Sequence, residues 1–161
     1  MELNSTQLAT LKAAIAAETN AGFVASRTAG STGAMADFYN TNAPGPVKVW
    51  VKNQTPAATD ESADWTLFDA IAAGKRESWG FFLAYSRDYS RNAIRKWVTD
   101  VWGNATAGSG AEKILQGALR NARRGELLFG STDRTTGTVT AGDLTAEGEI
   151  TNDNIVKALA S

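Results

Sequence analysis

The chain has 161 residues, of which 43% are hydrophobic and 20% charged, and its 16 basic and 17 acidic side chains leave a net charge of −1. This composition is typical of one globular domain, and we expect neither a secretion signal nor a membrane-spanning segment. Without His or Cys the chain cannot form disulfides, thiolate nucleophiles, common zinc sites or Ser-His-Asp triads, so we expect no enzyme, no cofactor and no metal.

Helical spacing dominates the first 40 residues. In NSTQLATLKAAIAAE, Asn4 stands three residues before Gln7 in a capping-box pattern, and Leu11 and Ile15 follow at helical intervals. The next stretch interrupts short helical patches with Gly, Asn and Pro, and residues 34–39 form the clearest patch. We therefore predict one long helix followed by short ones.

A strand pattern comes next, in PVKVWVKNQTP. Val47, Val49 and Val51 alternate with other side chains, and Pro46 and Pro56 bound the segment. The pattern predicts an extended segment or an edge strand.

An acidic stretch follows the strand pattern. Its four acids are Asp60, Glu61, Asp64 and Asp69. A carboxylate cluster could bind a cation or perform acid/base catalysis, which would make this a carboxylate-dependent enzyme. The alternative is that Thr59 or Ser62 caps a helix whose first turn favours acids. We prefer the cap, because no other feature of the sequence converges on the cluster.

Two Trp-rich helices are predicted after this stretch. Trp79 and Phe82 share a face of the first, and the second begins at Ser90 as its N-cap and ends at Gly103. The apolar stripe of the second helix is Ile94, Trp97, Val98, Val101 and Trp102. Aromatic side chains can stack on nucleic-acid bases, but at helical spacing among aliphatic residues they indicate a core. We therefore assign these tryptophans to the core.

The segment after the second helix resembles a phosphate-binding loop only in its glycines. Gly103 and Gly108 have the required spacing, but Ser109 and Gly110 stand where that loop needs Lys and Ser or Thr. We interpret the segment as a linker.

The last third of the chain contains a basic helix, a polar segment and a short helix. The basic helix is predicted over about 109–129, with its arginines on exposed faces. Residues 131–149 combine Thr, Val and Gly with few apolar side chains, which predicts a protruding hairpin or loop. Thr151 then caps a C-terminal helix. The chain as a whole, residues 1–161, is predicted to be mainly α: a helical bundle-like single domain with a small β-hairpin or extended excursion near the C-terminus.

The charges are unevenly distributed along the chain. Residues 1–74 carry 4 basic and 7 acidic groups, residues 75–125 carry 10 and 4, and residues 126–161 carry 2 and 6. Two interpretations stay open. The charges are neutralised inside one monomer, or they form complementary contacts between copies.

The order of elements resembles a group of tailed-bacteriophage virion proteins encoded near capsid and portal genes. The similarity covers residues 45–159, from the Val-Trp segment to the closing T-x-x-x-I-x-x-A-L. In that group the penultimate helix carries an Arg- and Ala-rich stretch that ends in Glu-x-Leu-Phe-x-x-Gly-like residues. The matching residues here are Arg123, Arg124, Glu126, Leu128, Phe129 and Gly130. The Gly-Thr-Gly common after that Phe is replaced by GSTDRTTGT.

The resemblance implies a structural component of the virion. A ring-forming head-to-tail adaptor docked on the portal fits best, located in the head-tail neck and assembled in the host cytoplasm. Its implied partners are copies of itself in a ring, the portal and a tail or stopper protein, with passing contact to packaged DNA and none to membrane. Alternatives are a stopper, a tail terminator or a capsid-attached protein. A nucleic-acid-binding protein is less favoured, because the sequence pI is about 5.5.

The basic helix supplies the candidate contact residues. Its arginines could hold nucleic acid, a substrate or another copy of the protein, or be solvated at the surface. We favour another copy, because the planar guanidinium suits desolvated carboxylates and the C-terminal flank is acidic. The candidate intersubunit contacts are Arg120, Arg123 and Arg124, with Asp143, Glu147, Glu149 and Asp153 as their partners.

Overall fold

A computed structural model describes all residues from Met1 to Ser161. The N-terminal elements are α1 (Ser5–Ala17), α2 (Ala21–Thr28), α3 (Thr32–Asn40), β1 (Lys48–Trp50), α4 (Pro56–Glu61) and a 3-10 helix (Trp65–Ala70). The middle elements are α5 (Ala73–Phe82), α6 (Asn92–Trp102), α7 (Gly110–Gly117), β2 (Leu119–Asn121) and α8 (Arg124–Leu127). The chain ends with β3 (Ser131–Thr136), β4 (Val139–Leu144) and α9 (Asn152–Ala160).

The chain forms two compact units. The first, which we call the helical unit, consists of Met1–Val47, Asn121–Thr132 and Leu144–Ser161 and contains α1, α2, α3, α8 and α9. The second, which we call the sheet unit, consists of Lys48–Arg120 and Asp133–Asp143 and contains α4 to α7 and most of the β-structure.

Local capping signals define the ends of two helices in the helical unit. The Asn4 side chain accepts a hydrogen bond from the Gln7 amide, and the Gln7 side chain accepts one from the Asn4 amide, which confirms the predicted capping box. Thr151 caps α9 by accepting from the Asn154 amide, also as predicted. The buried apolar core of this unit is Leu11, Ile15, Phe23, Met35, Ala36, Tyr39, Ile150, Ile155 and Ala158.

The four strands form one mixed sheet in the order β2-β1-β4-β3. Strands β1 and β4 are parallel, with Val49 opposite Gly142. Strand β3 joins β4 through a tight turn at Gly137, whose φ of 60° suits glycine. Both inner strands are buried, as shown by Val49 and Val139, which are 0% and 1% exposed.

This sheet shows that the predicted mainly α, bundle-like fold is wrong. The protein has an α/β fold, with 52% of its residues in helices and 14% in strands. The hairpin near the C-terminus is not an isolated excursion, because β4 pairs with β1. The local pattern around β1 predicts an extended segment but not its partner, because the residues of β4 that pair with it lie more than 90 residues away in the sequence.

The predicted helix over 109–129 is also wrong beyond its first two turns. The structure divides it into α7, β2 and α8. Helix α7 ends at Gly117, and a side chain there would collide with Ser62. The Ala118 carbonyl then accepts a hydrogen bond from the Val51 amide at 3.0 Å, so sheet pairing replaces the helical pattern. Arg120 therefore lies on a strand, and Arg124 lies in the first turn of α8.

Two predicted caps are at other positions. The acidic stretch begins with α4, which is capped by Thr55 and not by Thr59 or Ser62. Helix α6 follows Arg91 as its N-cap residue, not Ser90, and no side chain caps it. In both helices the observed N-cap differs from the predicted one, because the amphipathic pattern does not mark the first residue of a helix sharply.

The core of the sheet unit is aromatic. The Trp79 and Phe82 rings stack at 4.7 Å between centroids, and both side chains are buried. Trp97 and Trp102, predicted as core residues, are half-buried and pack against this core. No helix in the structure has the length and apolar composition needed to cross a membrane.

Candidate functional site

The arginines predicted to contact another copy have partners inside the same chain. The Arg123 guanidinium lies 3.3 Å from a carboxylate oxygen of Glu149. The Arg123 amide donates to Glu126 Oε2 at 2.9 Å, and Glu126 Oε1 accepts from the Gly148 amide at 2.9 Å. Glu126 is fully buried. These contacts hold the segment before α9 against α8 within one helical unit.

Arg124 packs on an aromatic ring of the helical unit. Its guanidinium carbon lies 4.5 Å from the centroid of Phe38, and its Nε donates to Thr41 Oγ1 at 3.1 Å. Arg120 belongs to the sheet unit, where it is half-buried and has an interaction partner. The three arginines are therefore not one basic stripe of a single helix, because Arg120 lies on β2 whereas Arg123 and Arg124 lie at the start of α8.

The predicted acidic partners are also distributed over separate elements. In the sheet unit, Asp143 lies 3.9 Å from Lys52 Nζ and 3.7 Å from Arg134 Nε. In the helical unit, Asp153 pairs with Lys157 at 2.7 Å along α9, and Glu147 is half-buried with an interaction partner. Intersubunit roles for these acids and for the arginines stay predictions.

The acidic stretch does not form a carboxylate cluster. Asp64 caps the 3-10 helix and accepts from Lys113 Nζ at 2.6 Å, and these hydrogen bonds lower its pKa to about 2. Asp69 lies 3.5 Å from Arg76, while Asp60 and Glu61 are exposed. The structure contains no group of three or more Asp, Glu, His or Cys side chains that could hold a metal ion.

An apolar groove of about 430 Å³ opens on the sheet unit. Its lining residues are Leu67, Ala70, Ile71, Ala72, Lys75, Val101, Trp102, Gly103, Ser109 and Gly110. The Trp102 Nε1–H group is buried and has no hydrogen-bond acceptor. A Cβ at Gly110 would lie 2.6 Å from the Trp102 ring, so glycine is needed for this ring to pack as it does. The groove lining is thus mainly apolar, with one charged side chain, Lys75.

Two aromatic side chains protrude from the same unit. Phe81 is 66% exposed and Tyr85 is 70% exposed. The Arg87 guanidinium lies 5.6 Å from the Tyr85 ring and donates to the Phe81 carbonyl at 2.9 Å. We call Phe81 and Tyr85 the aromatic knob. Arg87 fixes the backbone that carries the knob, so these rings are exposed on an ordered segment.

The groove and the knob lie at opposite ends of α5. Ala72 and Lys75, at the start of the helix, line the groove, and Phe81 lies in the last turn. A helix of this length spans about 15 Å. Lys75 and Glu77 are both exposed and neither forms an ion pair. Glu77 precedes Phe81 by one turn, which places an unpaired acid beside the knob and an unpaired base beside the groove.

A second, polar cleft of about 550 Å³ also lies in the sheet unit. Its lining residues are Ser90, Asn92, Arg95, Asp133, Arg134, Thr135 and Asp143. Arg95 is 2% exposed. Its guanidinium lies 4.9 Å from the Trp50 ring centroid, and burial lowers its pKa. This is the one fully buried basic side chain in the chain.

Comparison with known protein families, curated proteins and solved structures finds no match to this chain.

Neither the knob nor the buried arginine was identified from the sequence. Helical spacing placed Phe82 on the same face as Trp79, but it gave no indication that the adjacent Phe81 would be exposed as part of a surface feature. Arg95 did carry a signal, because it stands three residues before Val98 on the apolar side of α6. A charged residue at a core position of a strongly amphipathic helix indicates a special environment.

Proposed function

We propose that this protein is a structural component of a tailed-phage particle, and that its copies join head to tail into the ring of a neck adaptor. The main support for this assembly is that each copy has an apolar groove at one end of α5 and an exposed aromatic knob at the other. The virion setting rests on the resemblance of residues 45–159 to phage virion proteins. In this proposal the knob of one copy enters the groove of the next.

The arrangement on α5 favours head-to-tail contacts over a twofold dimer. Lys75 and Glu77 are two residues apart, which places their side chains about 200° apart around the helix axis. One copy therefore offers its knob to one neighbour and its groove to another. Such heterologous interfaces close into a ring when the rotation between copies permits it.

Physical complementarity supports the second copy as occupant of the groove. Phe81 and Tyr85 bring apolar rings to a groove lined by Leu67, Ile71 and the Trp102 ring. Large aromatic side chains that enter apolar pockets commonly dominate interface free energies.

Charge complementarity supports the same occupant. Lys75 beside the groove and Glu77 beside the knob have opposite charge and no partner within their own chain. In a head-to-tail contact Lys75 of one copy would face Glu77 of the next. A pair of this kind fixes orientation and speeds association more than it adds affinity.

The assembly is tested by charge exchange. Lys75→Glu and Glu77→Lys should each reduce self-association, measured by sedimentation velocity, because like charges then meet. An equimolar mixture of the two variants should assemble again, since every contact in an alternating ring pairs opposite charges. The double variant in one chain should also recover. Lys96→Glu is the matched control, because Lys96 is exposed on α6 and pairs only with Asp100.

Two results would refute the assembly: a wild-type protein that is monomeric at every concentration, or single variants that assemble normally. If the mixture of the two variants formed only dimers, the assembly would be a closed dimer and not a ring. The station in the particle is tested by gold-labelling tagged protein in purified virions. Label at the head-tail junction is expected. Label over the capsid surface would favour a capsid-attached protein, and label at the distal end of the neck a stopper or tail terminator.

A further inference from the structure

The polar cleft contains a buried positive charge that forms no direct ion pair, although Asp143 and Asp88 act on it at longer range. Arg95 is 2% exposed and forms no ion pair. Its partners are neutral: Nε donates to Thr136 Oγ1 at 2.9 Å, and Nη1 donates to the carbonyls of Tyr89 and Ser90 at 2.6 Å each. A buried charge without a carboxylate in direct contact is costly, so its presence requires an explanation.

One edge of this guanidinium is free. The Trp50 ring covers one face, and Nε and Nη1 are occupied by the three acceptors. Nη2 has no acceptor within the protein, and it is not among the buried unpaired atoms. Arg95 is part of the cleft wall, so the two N–H groups of Nη2 are the donors it can present to a ligand there.

The start of α6 adds to the positive potential of the cleft. Ser90 and Asn92, which flank the N-cap residue Arg91, both line the cleft. No side chain caps this helix. The unsatisfied amides of a first helical turn carry partial positive charge and favour anions. The buried arginine and the uncapped helix start therefore favour the same sign of ligand charge.

Two carboxylates limit how much negative charge the cleft can accept. Asp143 is shared between Lys52 and Arg134, whereas Asp133 is exposed and has no ion-pair partner. A polyanion would be repelled by both acids. We propose that the cleft is a binding site for a single carboxylate group, held by Nη2 of Arg95. This site is independent of the knob and groove.

The test measures carboxylate binding directly by NMR of the ¹⁵N-labelled arginine side chains, in the full chain. Acetate should shift the Arg95 Nε–H resonance saturably and at lower concentration than inorganic phosphate does. Asp133→Asn should tighten acetate binding about fivefold, because it removes a like charge from the wall. Arg91→Gln is the matched control: it also alters one charge beside the cleft, and acetate affinity should change less than twofold.

A blocked tripeptide with Asp at its centre distinguishes the two sources of a carboxylate. Tighter binding of the peptide than of acetate would assign the site to an acidic side chain of a partner, and binding of acetate alone would assign it to a small organic acid. Arg95→Gln should abolish acetate binding if the variant folds. If the variant does not fold, the tighter acetate binding expected of Asp133→Asn tests the site instead. The proposal fails if acetate gives no saturable shift in the wild type and the Asp133 variant, or if phosphate binds more tightly than acetate.

Discussion

Phe81 and Phe82 are neighbours on α5 but have opposite environments. Phe82 is 0% exposed and stacks on Trp79, whereas Phe81 is 66% exposed. One ring therefore contributes to the fold and the other is available to a partner. We expect Phe82→Ala to lower the free energy of unfolding by about 3–5 kcal/mol, as truncation of buried aromatics does. Phe81→Ala should change it by less than about 0.5 kcal/mol and weaken self-association.

Urea denaturation measures the change in unfolding free energy for both variants, and sedimentation velocity measures the self-association of the Phe81 variant. Equal destabilisation by both substitutions would show that Phe81 is part of the monomer core. The groove and knob would then lose their main support.

The ion pair between Arg123 and Glu149 gives a second prediction. Both side chains are partly exposed, so their interaction should contribute about 0.2–1 kcal/mol to stability. A double-mutant cycle of Arg123→Gln and Glu149→Gln in urea measures this coupling free energy. If the two residues instead act between copies, the coupling should appear only at protein concentrations where the chain assembles.

The third prediction concerns the pKa of Asp64. Because hydrogen bonds from Lys113 and Thr66 favour its charged form, the folded-state pKa of about 2 lies below the ordinary value. Its contribution to stability is therefore present above about pH 4 and is lost as the pH falls towards 2. Lys113→Met should raise the midpoint of the Asp64 carboxyl in an NMR titration. Lys96→Met should leave it unchanged. An unshifted midpoint in the Lys113 variant would contradict the assignment of the ion pair.

The fourth prediction concerns the turn between β3 and β4. Gly137 has a φ of 60°, and a Cβ there would collide with the Ala105 carbonyl. Gly137→Ala should therefore destabilise the protein by more than about 1 kcal/mol. Gly74→Ala is the control, because a Cβ at this position in α5 would have no other atom within 4 Å, and it should stabilise slightly. Thermal unfolding followed by circular dichroism compares the two. A neutral Gly137 variant would mean that the turn adjusts freely.

Elements whose signals are local could be predicted from the amino-acid sequence. The capping box of α1, the Thr151 cap of α9, the helical spacing of Leu11 and Ile15 and the apolar stripe of α6 were all predicted. Helical hydrogen bonds join residues four apart, and caps act within three residues. A short window of sequence therefore contains both partners of each interaction.

The strand pairing of the sheet, the charge partners and the two clefts depend on contacts between residues that are distant in the sequence. Local patterns predicted an extended segment around β1 and a hairpin or loop around β4, but the two strands lie far apart in the sequence, so no local pattern identifies their pairing. The burial of Arg95 and the exposure of Phe81 depend on which elements pack around α6 and α5. The sequence shows that Arg123 and Glu149 are charged but not that they pair. They pair because α8 and the segment before α9 are packed together in the fold. Burial and pairing are properties of distant neighbours, which is why composition and periodicity did not predict them.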